Sequence, residues 1–229
     1  MREIVLDTET TGFKYEIDDR VVEIGCIELV NHIPTGRHFH VYINPERPMP
    51  EDAFKVHGLS DEFLAAKPVF AAVAQAFIDF IDDDPLVIHN AAFDLGFLNA
   101  ELARLQGYPH LAMERAIDTV RLARQKFPGA QASLDALCKR FNIDNSARTK
   151  HGALLDAELL AEVYLELIGG RQQGLGLAGL DADGQSIVAL QAPRGPTRPP
   201  RAHAPSAAEQ AAHAAFVAGL KDPLWLKGD

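Results

Sequence analysis

Cysteine, tryptophan, long apolar runs and positive charge are all scarce in this chain. The two cysteines, Cys26 and Cys138, lie in unrelated contexts and read as reduced core thiols. They form neither a disulfide framework nor a zinc motif. Apolar runs such as residues 69–74 are far too short to span a bilayer. The opening Met1-Arg2-Glu3 enters a strand-like run at once, so no signal peptide is read. A secreted, membrane-embedded or disulfide-stapled protein is excluded, and a cytoplasmic one with no membrane partner is expected. Lys and Arg number 22 against 32 Asp and Glu, a net charge of −10. Residues 1–168 hold 16 against 27, a balance of −11, so the main body lacks the broad basic footprint of an unaided nucleic-acid binder. If it acts on a polyanion, cations must bridge or a partner must deliver the substrate.

What is present reads as an α/β domain followed by a compositionally different tail. Residues 3–7 form a short buried strand ending in acids, with a turn signal at residues 10–12. Residues 21–30 and 37–43, flanking 31–36, read as a hairpin. After Pro45, Pro48 and Pro50 interrupt the pattern, helical spacing is expected over residues 60–64 and 69–81. A strand at 86–89 leads into a helix reaching Gly107. A mixed unit from Ile117 carries helices at 119–126 and 133–141, and a long helix runs over 152–168 until Gly169-Gly170 stops it. Three strands, then strands alternating with helices, predict a mixed sheet covered by helices. Residues 171–205 have linker composition, rich in Gly, Ala, Gln and then Pro. Ser206 and Glu209 form a capping box that opens an Ala-rich helix running towards Leu220.

Four acids stand out by position. Asp7 and Glu9 are two apart at a strand end, so both leave the same face. Such a pair also fits a solvated strand end. Asp94 falls in the first turn of the helix after the 86–89 strand, where Asn90 could act as cap and Asp94 could complement the helix dipole. Asp156 sits among leucines in the long helix and needs solvent or a partner. Two His-x4-Asp spacings occur, His89…Asp94 and His151…Asp156, so spacing does not choose between the histidines. His89, at a buried strand end, is placed to brace the adjoining turn. His151 follows the polar stretch 142–150 and is better placed to approach a substrate. If the carboxylates converge, each raises the others' pKa unless cations occupy the centre. Hard oxygen ligands suit two divalent cations, Mg²⁺ or Mn²⁺, which can serve phosphodiester hydrolysis, with a neutral histidine taking the proton of water.

Asp7-Thr8-Glu9-Thr10-Thr11-Gly12, His89-Asn90-Ala91-Ala92-Phe93-Asp94 and His151-Gly152-Ala153-Leu154-Leu155-Asp156 together resemble the three motifs of the DEDDh 3′–5′ exonucleases. The likeness is greatest to the proofreading, epsilon-type subunits of bacterial DNA polymerase III. It extends through the segments at residues 54–59, 133–138 and 143–146, covering about residues 1–170. The resemblance implies a ribonuclease-H-like fold with a mixed five-stranded sheet flanked by helices. It also implies metal binding by Asp7, Glu9, Asp94 and Asp156, with His151 as general base. Asp7 would serve both ions, Glu9 and Asp156 mainly the first, and Asp94 would act through water. Glu9, Thr10 and Asp156, with His57 and Asp52, would approach the terminal nucleotide of a DNA 3′ end. Phe54 and Phe93 could stack on a base or pack in the core.

The same resemblance sets expectations for the tail. Gln172, Leu175 and Leu177 are similar to a peptide that binds the β sliding clamp, without its terminal aromatic. Phe216, Leu220, Leu224, Trp225 and Leu226 would anchor residues 206–229 on the polymerase catalytic (alpha) subunit. Two other readings stay open at this point. One is a DEDDh exoribonuclease of RNA processing. The other is a non-catalytic adaptor between clamp and polymerase, against which the intact acids and His151 argue.

Overall fold

The first strand buries both of its faces, and that fixes everything around it. In the computed structural model, which describes residues 1–146, 148, 150–170 and 204–221, β1 (Arg2–Thr10) turns Ile4 and Leu6 one way and Val5 the other, all inaccessible to solvent. It is the central strand of a five-stranded sheet with order β3-β2-β1-β4-β5. Strands β2 (Val21–Val30) and β3 (Ile33–Tyr42) extend it antiparallel on one side. The short β4 (Leu86–Ile88) and β5 (Ala116–Asp118) extend it parallel on the other. This is the mixed, helix-flanked sheet that the sequence leads one to expect.

Each face of the sheet carries its own core. Helices α3 (Phe70–Ile81) and α4 (Ala91–Ala103) cover Ile4, Leu6 and Ile24 with Phe77 and Phe97. Helices α5 (Thr119–Lys126), α6 (Leu134–Phe141) and α7 (Ala153–Leu167) cover Val5, Leu29 and Val87 with Leu137, Leu160 and Val163. Each such buried side chain contributes roughly 1.5–3 kcal/mol relative to exposure. Cys26 belongs to the first core and Cys138 to the second, and both are free thiols.

Local differences from the sequence reading have identifiable causes. The hairpin does not loop over residues 31–36. Asn31 and His32 both take positive φ, 52° and 66°, which closes a two-residue turn and starts β3 at Ile33. The proline-interrupted segment contains an unforeseen helix, α1 (Glu51–His57), for which Pro50 supplies the position before the first turn. A second short helix, α2 (Asp61–Ala65), is capped by the Ser60 hydroxyl, which accepts the Phe63 N–H. Strand β1 continues past Asp7 to Thr10, and α4 ends at Ala103 rather than reaching Gly107. Asn90 precedes α4 in the left-handed region, φ 70°, and its side chain makes no cap.

The chain divides into two compact units, Met1–Leu175 and Gly176–Asp229. In the second, α8 (Ala207–Ala218) begins with the expected reciprocal Ser206–Glu209 capping box. Phe216 and Leu220 are exposed there, while Val217 is buried. The expected clamp-binding Gln172, Leu175 and Leu177, and the anchors Leu224, Trp225 and Leu226, lie outside the described residues. Among the described residues no helix is long and apolar enough to cross a membrane.

Candidate active site

The C-terminal ends of the parallel strands β1 and β4 open into a cleft of about 290 Å³ lined by Asp7, Glu9, Asp94, His151 and Asp156, with His89 on its wall. Asp7 and Glu9 leave the α7 face of β1, as their two-residue spacing requires. Asp94 comes from the first turn of α4 on the other side, where the Thr8 N–H and hydroxyl donate to its Oδ1 at 3.1 and 2.7 Å. Asp156 comes from the first turn of α7. Gly25 brings that turn close, because it pairs with Asp7 across the sheet and a Cβ there would lie 2.3 Å from the Ala153 carbonyl carbon. A side chain at this position would hold α7, and so Asp156, away from Asp7.

Crowding of these carboxylates marks the electrostatics. Burial, then the charges of Asp94, Glu9 and Asp156, push Asp7 well above the ordinary carboxylate range. Burial and then Asp156 and Glu23 push Glu9 up to about 8. Burial lifts Asp94 to about 7 against the pull of its Thr8 hydrogen bonds. Without compensating positive charge these acids hold protons at neutral pH.

One internal cation is already present. Arg148, with a side chain 7% exposed, grips Asp156 with two bonds of 2.6 Å and reaches Asp135 at 2.7 Å. Its Nη2 also lies 2.7 Å from the Nδ1 of His151. His151 itself is 46% exposed, with Nδ1 3.3 Å from Asp156 Oδ2, and its backbone N–H donates to the Val56 carbonyl. The sequence reading of residues 142–150 as a polar stretch missed Arg148. Its available signal was the spacing of three residues to His151 and eight to Asp156. Asp135, within the segment at residues 133–138 already singled out, is a further cleft residue not foreseen.

The two histidines have separate surroundings. His89 Nδ1 meets the Thr119 hydroxyl at 2.9 Å and ties the end of β4 to α5, the bracing position foreseen for it. Burial lowers its pKa. His57 is buried, with Nδ1 accepting the Leu59 N–H at 3.0 Å. A neutral ring with that acceptor carries its proton on Nε2, which is buried without a well-formed hydrogen bond. Thr10 is buried at the end of β1 and its hydroxyl donates to the Gly12 carbonyl. Asp52 is fully exposed on α1 and does not line the cleft. Phe54 is partly exposed, with the Lys150 ammonium over its ring. Phe93 lines the cleft and packs on Phe97 at 4.9 Å, joining wall and core.

The donors fit divalent cations. Ligand atoms of Glu9, His151 and Asp156 all lie within 4.8 Å of one another, beside the two further carboxylates Asp7 and Asp94. Oxygen-dominated, strongly anionic sets of this kind suit hard ions such as Mg²⁺ and Mn²⁺.

The exonuclease (RNase T) family profile matches residues 4–164. DNA polymerase III subunit epsilon of Rickettsia felis is 53% identical over 193 residues, covering 83% of this chain and 84% of its own. The same subunit of Escherichia coli is 52% identical over 177 residues, covering 74% and 72%. Among solved structures, exonuclease X in complex with 5′-overhanging duplex DNA aligns with a TM-score of 0.59 at 25% identity, over 72% of this chain and 90% of that one. The nuclease domain of 3′hExo, a DEDDh family member bound to rAMP, has the same fold, with a TM-score of 0.63 at 18% identity over 73% and 91%. The five-stranded fold, the cleft and these likenesses agree: the chain belongs to the exonuclease family, as a 3′–5′ exonuclease that groups with the DNA polymerase III epsilon subunits.

Proposed function

We propose that the chain is the proofreading exonuclease of a cytoplasmic bacterial replicase, removing mispaired nucleotides from DNA 3′ ends as 5′-mononucleotides. The observation that carries this reading is the meeting of Asp7, Glu9, Asp94, His151 and Asp156 in one cleft at the strand ends. Asp7, Glu9, Asp94 and Asp156 would hold two divalent cations, Mg²⁺ or Mn²⁺. When bound, these ions supply Lewis acidity and charge neutralisation at the scissile phosphate.

His151 takes the proton from the attacking water. Its Nδ1 now faces Arg148, an obligatory donor, so the neutral ring carries its proton on Nε2. To accept a proton at Nε2, the ring gives up Arg148 and donates from Nδ1, with Asp156 Oδ2 3.3 Å away as acceptor. His57 presents a buried Nε2–H that faces the Thr10 backbone without a well-formed hydrogen bond, a donor suited to an oxygen of the terminal nucleotide. Thr10 shapes the turn beside that nucleotide, and Asp52 would act at the outer rim, from its exposed place on α1. Recognition of strand end and backbone leaves mismatch preference to the easier fraying of an unpaired terminus.

Residues 206–229 are assigned to the polymerase catalytic (alpha) subunit, with exposed Phe216 and Leu220 as described anchors. Gln172, Leu175 and Leu177 are assigned to a weak contact with the β sliding clamp. Deleting residues 206–229 should abolish copurification with the catalytic subunit while sparing hydrolysis by the free enzyme. Relatives more than half identical and carrying the epsilon name favour DNA over RNA as substrate.

The test of the activity is a gel assay on 3′-mispaired and paired DNA primers and on an RNA primer, with Mn²⁺ or EDTA, and with Asp7→Ala as control. Metal-dependent 3′ shortening, faster at the mispair and absent in the variant, is expected. Preferential shortening of RNA would move the substrate assignment to the exoribonuclease reading. No shortening of any primer would leave the adaptor reading.

A further inference from the structure

On a body this acidic, nearly every described arginine is already committed. Arg2, Arg20, Arg37, Arg47, Arg104 and Arg148 are in ion pairs, Arg115 donates to backbone carbonyls, and Arg140 lies over the Phe127 ring. Only Arg121 and Arg124 have guanidinium groups without an ion pair, hydrogen bond or ring contact among the described residues. Both are exposed, three residues apart on one face of α5.

They line one groove of about 840 Å³ together with Gln125 and Gln131. That groove is continuous with the catalytic cleft, because His89 and Ser133 line both. The acid in its wall, Asp118, is engaged: its Oδ1 accepts the Asn90 and Val120 N–H groups. The groove therefore offers two free cations and several amide donors beside a cleft built of carboxylates.

We infer that this α5 groove carries the phosphodiester backbone of the DNA strand immediately 5′ of the nucleotide in the cleft, with Arg121 and Arg124 as its phosphate contacts. The inference rests on the exonuclease reading above. A strand whose 3′ end enters the cleft must leave by a contiguous channel, and charge complementarity selects this one. Arginine suits the role because its planar fork pairs phosphate oxygens bidentately. Nothing in the groove selects a base, so the contact is independent of sequence.

The magnitude follows from counterion release. Each phosphate contact on a single strand contributes about −0.7 to the slope of log affinity against log salt, so two contacts contribute about −1.4 and, near 0.1 M salt, about 25-fold in affinity.

The test compares the full chain with Arg121→Gln/Arg124→Gln and with Lys139→Gln. Lys139 is an exposed cation that lines neither cavity. Initial rates with Mn²⁺ are measured on a single-stranded oligodeoxynucleotide between about 50 and 200 mM salt, the range over which such slopes are read. They are measured also on the 4-nitrophenyl ester of thymidine 5′-monophosphate, which fills the cleft but has no upstream phosphate. The double variant should raise the oligonucleotide KM about 25-fold and flatten its salt slope by about 1.4. Hydrolysis of the ester should be unchanged, and Lys139→Gln should behave as the wild type on both substrates. A double variant with wild-type KM and slope overturns the inference and leaves the exonuclease reading intact. So does an equal loss on the ester, or an equal KM rise in Lys139→Gln. If the wild type cleaves neither substrate, the exonuclease reading fails and takes the groove with it.

Discussion

Replacing Arg148 by Gln tests whether its guanidinium stands in for metal charge in the cleft. In the structure it neutralises Asp156 through two 2.6 Å bonds, with both side chains almost excluded from solvent. Removing one partner of a buried pair costs about 3–5 kcal/mol. Gln retains an amide donor that can still hydrogen-bond the carboxylate, so the loss falls in the lower half of that range. The metal-free variant should therefore lose about 3–4 kcal/mol, which at about 2–4 °C per kcal/mol lowers Tm by about 6–16 °C. Added Mn²⁺ supplies the missing charge, so the gap should close to a few degrees. The wild type must first release Arg148, so the variant should also bind Mn²⁺ about 100- to 1000-fold more tightly, the same 3–4 kcal/mol at 1.4 kcal/mol per tenfold. Calorimetric scans in EDTA and through a Mn²⁺ titration read both effects. An equal Tm deficit with and without Mn²⁺, together with an unchanged metal titration, would refute the reasoning and make Arg148 an ordinary structural residue.

Three further outcomes follow from the cleft. The metal-free protein should lose stability as pH rises, because Glu9 and Asp94 titrate near 8 and 7 when folded but near 4 when unfolded. The native state thus binds the extra protons between these limits, giving up to about 1.36 kcal/mol per pH unit for each group. Thermal scans from pH 5 to 8.5 in EDTA should show the decline, with a shallower one in Glu9→Gln; a wild-type curve that rises over this range contradicts the shifts. Gly25→Ala should cost about 1–3 kcal/mol by overpacking, and should weaken Mn²⁺ binding by moving α7 outward. Denaturant midpoints and a metal titration check this, and unchanged affinity would separate Gly25 from the site. His151→Ala should lower turnover about 10²–10⁴-fold while Mn²⁺ binding persists. An equal loss in a folded His89→Ala would transfer the base to His89.

The sequence made the site legible in parts, for physical reasons. Asp7 and Glu9 could be read because strand period and chain order place them together without any tertiary contact. Asp94 could be read as a first-turn acid and Asp156 as an acid among leucines that needs a partner, but only the family resemblance joined them to the first pair. The Ser206–Glu209 capping box located the start of α8 because that signal is local, and the helices expected over 60–64 and 133–141 begin at serines that cap them. The two-residue turn at Asn31-His32 was missed because β3 was started four residues too late, behind the misleading Pro34 and Gly36. Helix α1 was missed because three prolines were read as interruption, although a proline just before a first turn is compatible with a helix. Arg148 was illegible for a different reason. Its role depends on Asp156, Asp135 and His151 arriving at one point, which no local pattern announces.

The distribution of charge bears on how such an enzyme meets its substrate. With 16 Lys and Arg against 27 Asp and Glu over residues 1–168, its field at long range opposes a polyanion. Screening confines that opposition to about 8 Å at physiological salt, so a strand nearby feels local groups rather than the net charge. Those local groups are Arg121 and Arg124 at the groove and the cations that the carboxylates of the cleft would hold under the proposed function. Neither feature draws DNA from solution; both act once a 3′ end has been brought close. A tether to a polymerase replaces electrostatic capture with a raised effective concentration, which suits a weak intrinsic site. The consequence is a separation of parameters. Deleting residues 206–229 should leave kcat and KM on free oligonucleotides unchanged. On a primer held by the polymerase, the same deletion should slow excision at low enzyme concentration, and excess truncated enzyme should restore the rate. Slow excision that excess enzyme cannot restore would mean that the tail acts on catalysis itself, and the tether argument would fall.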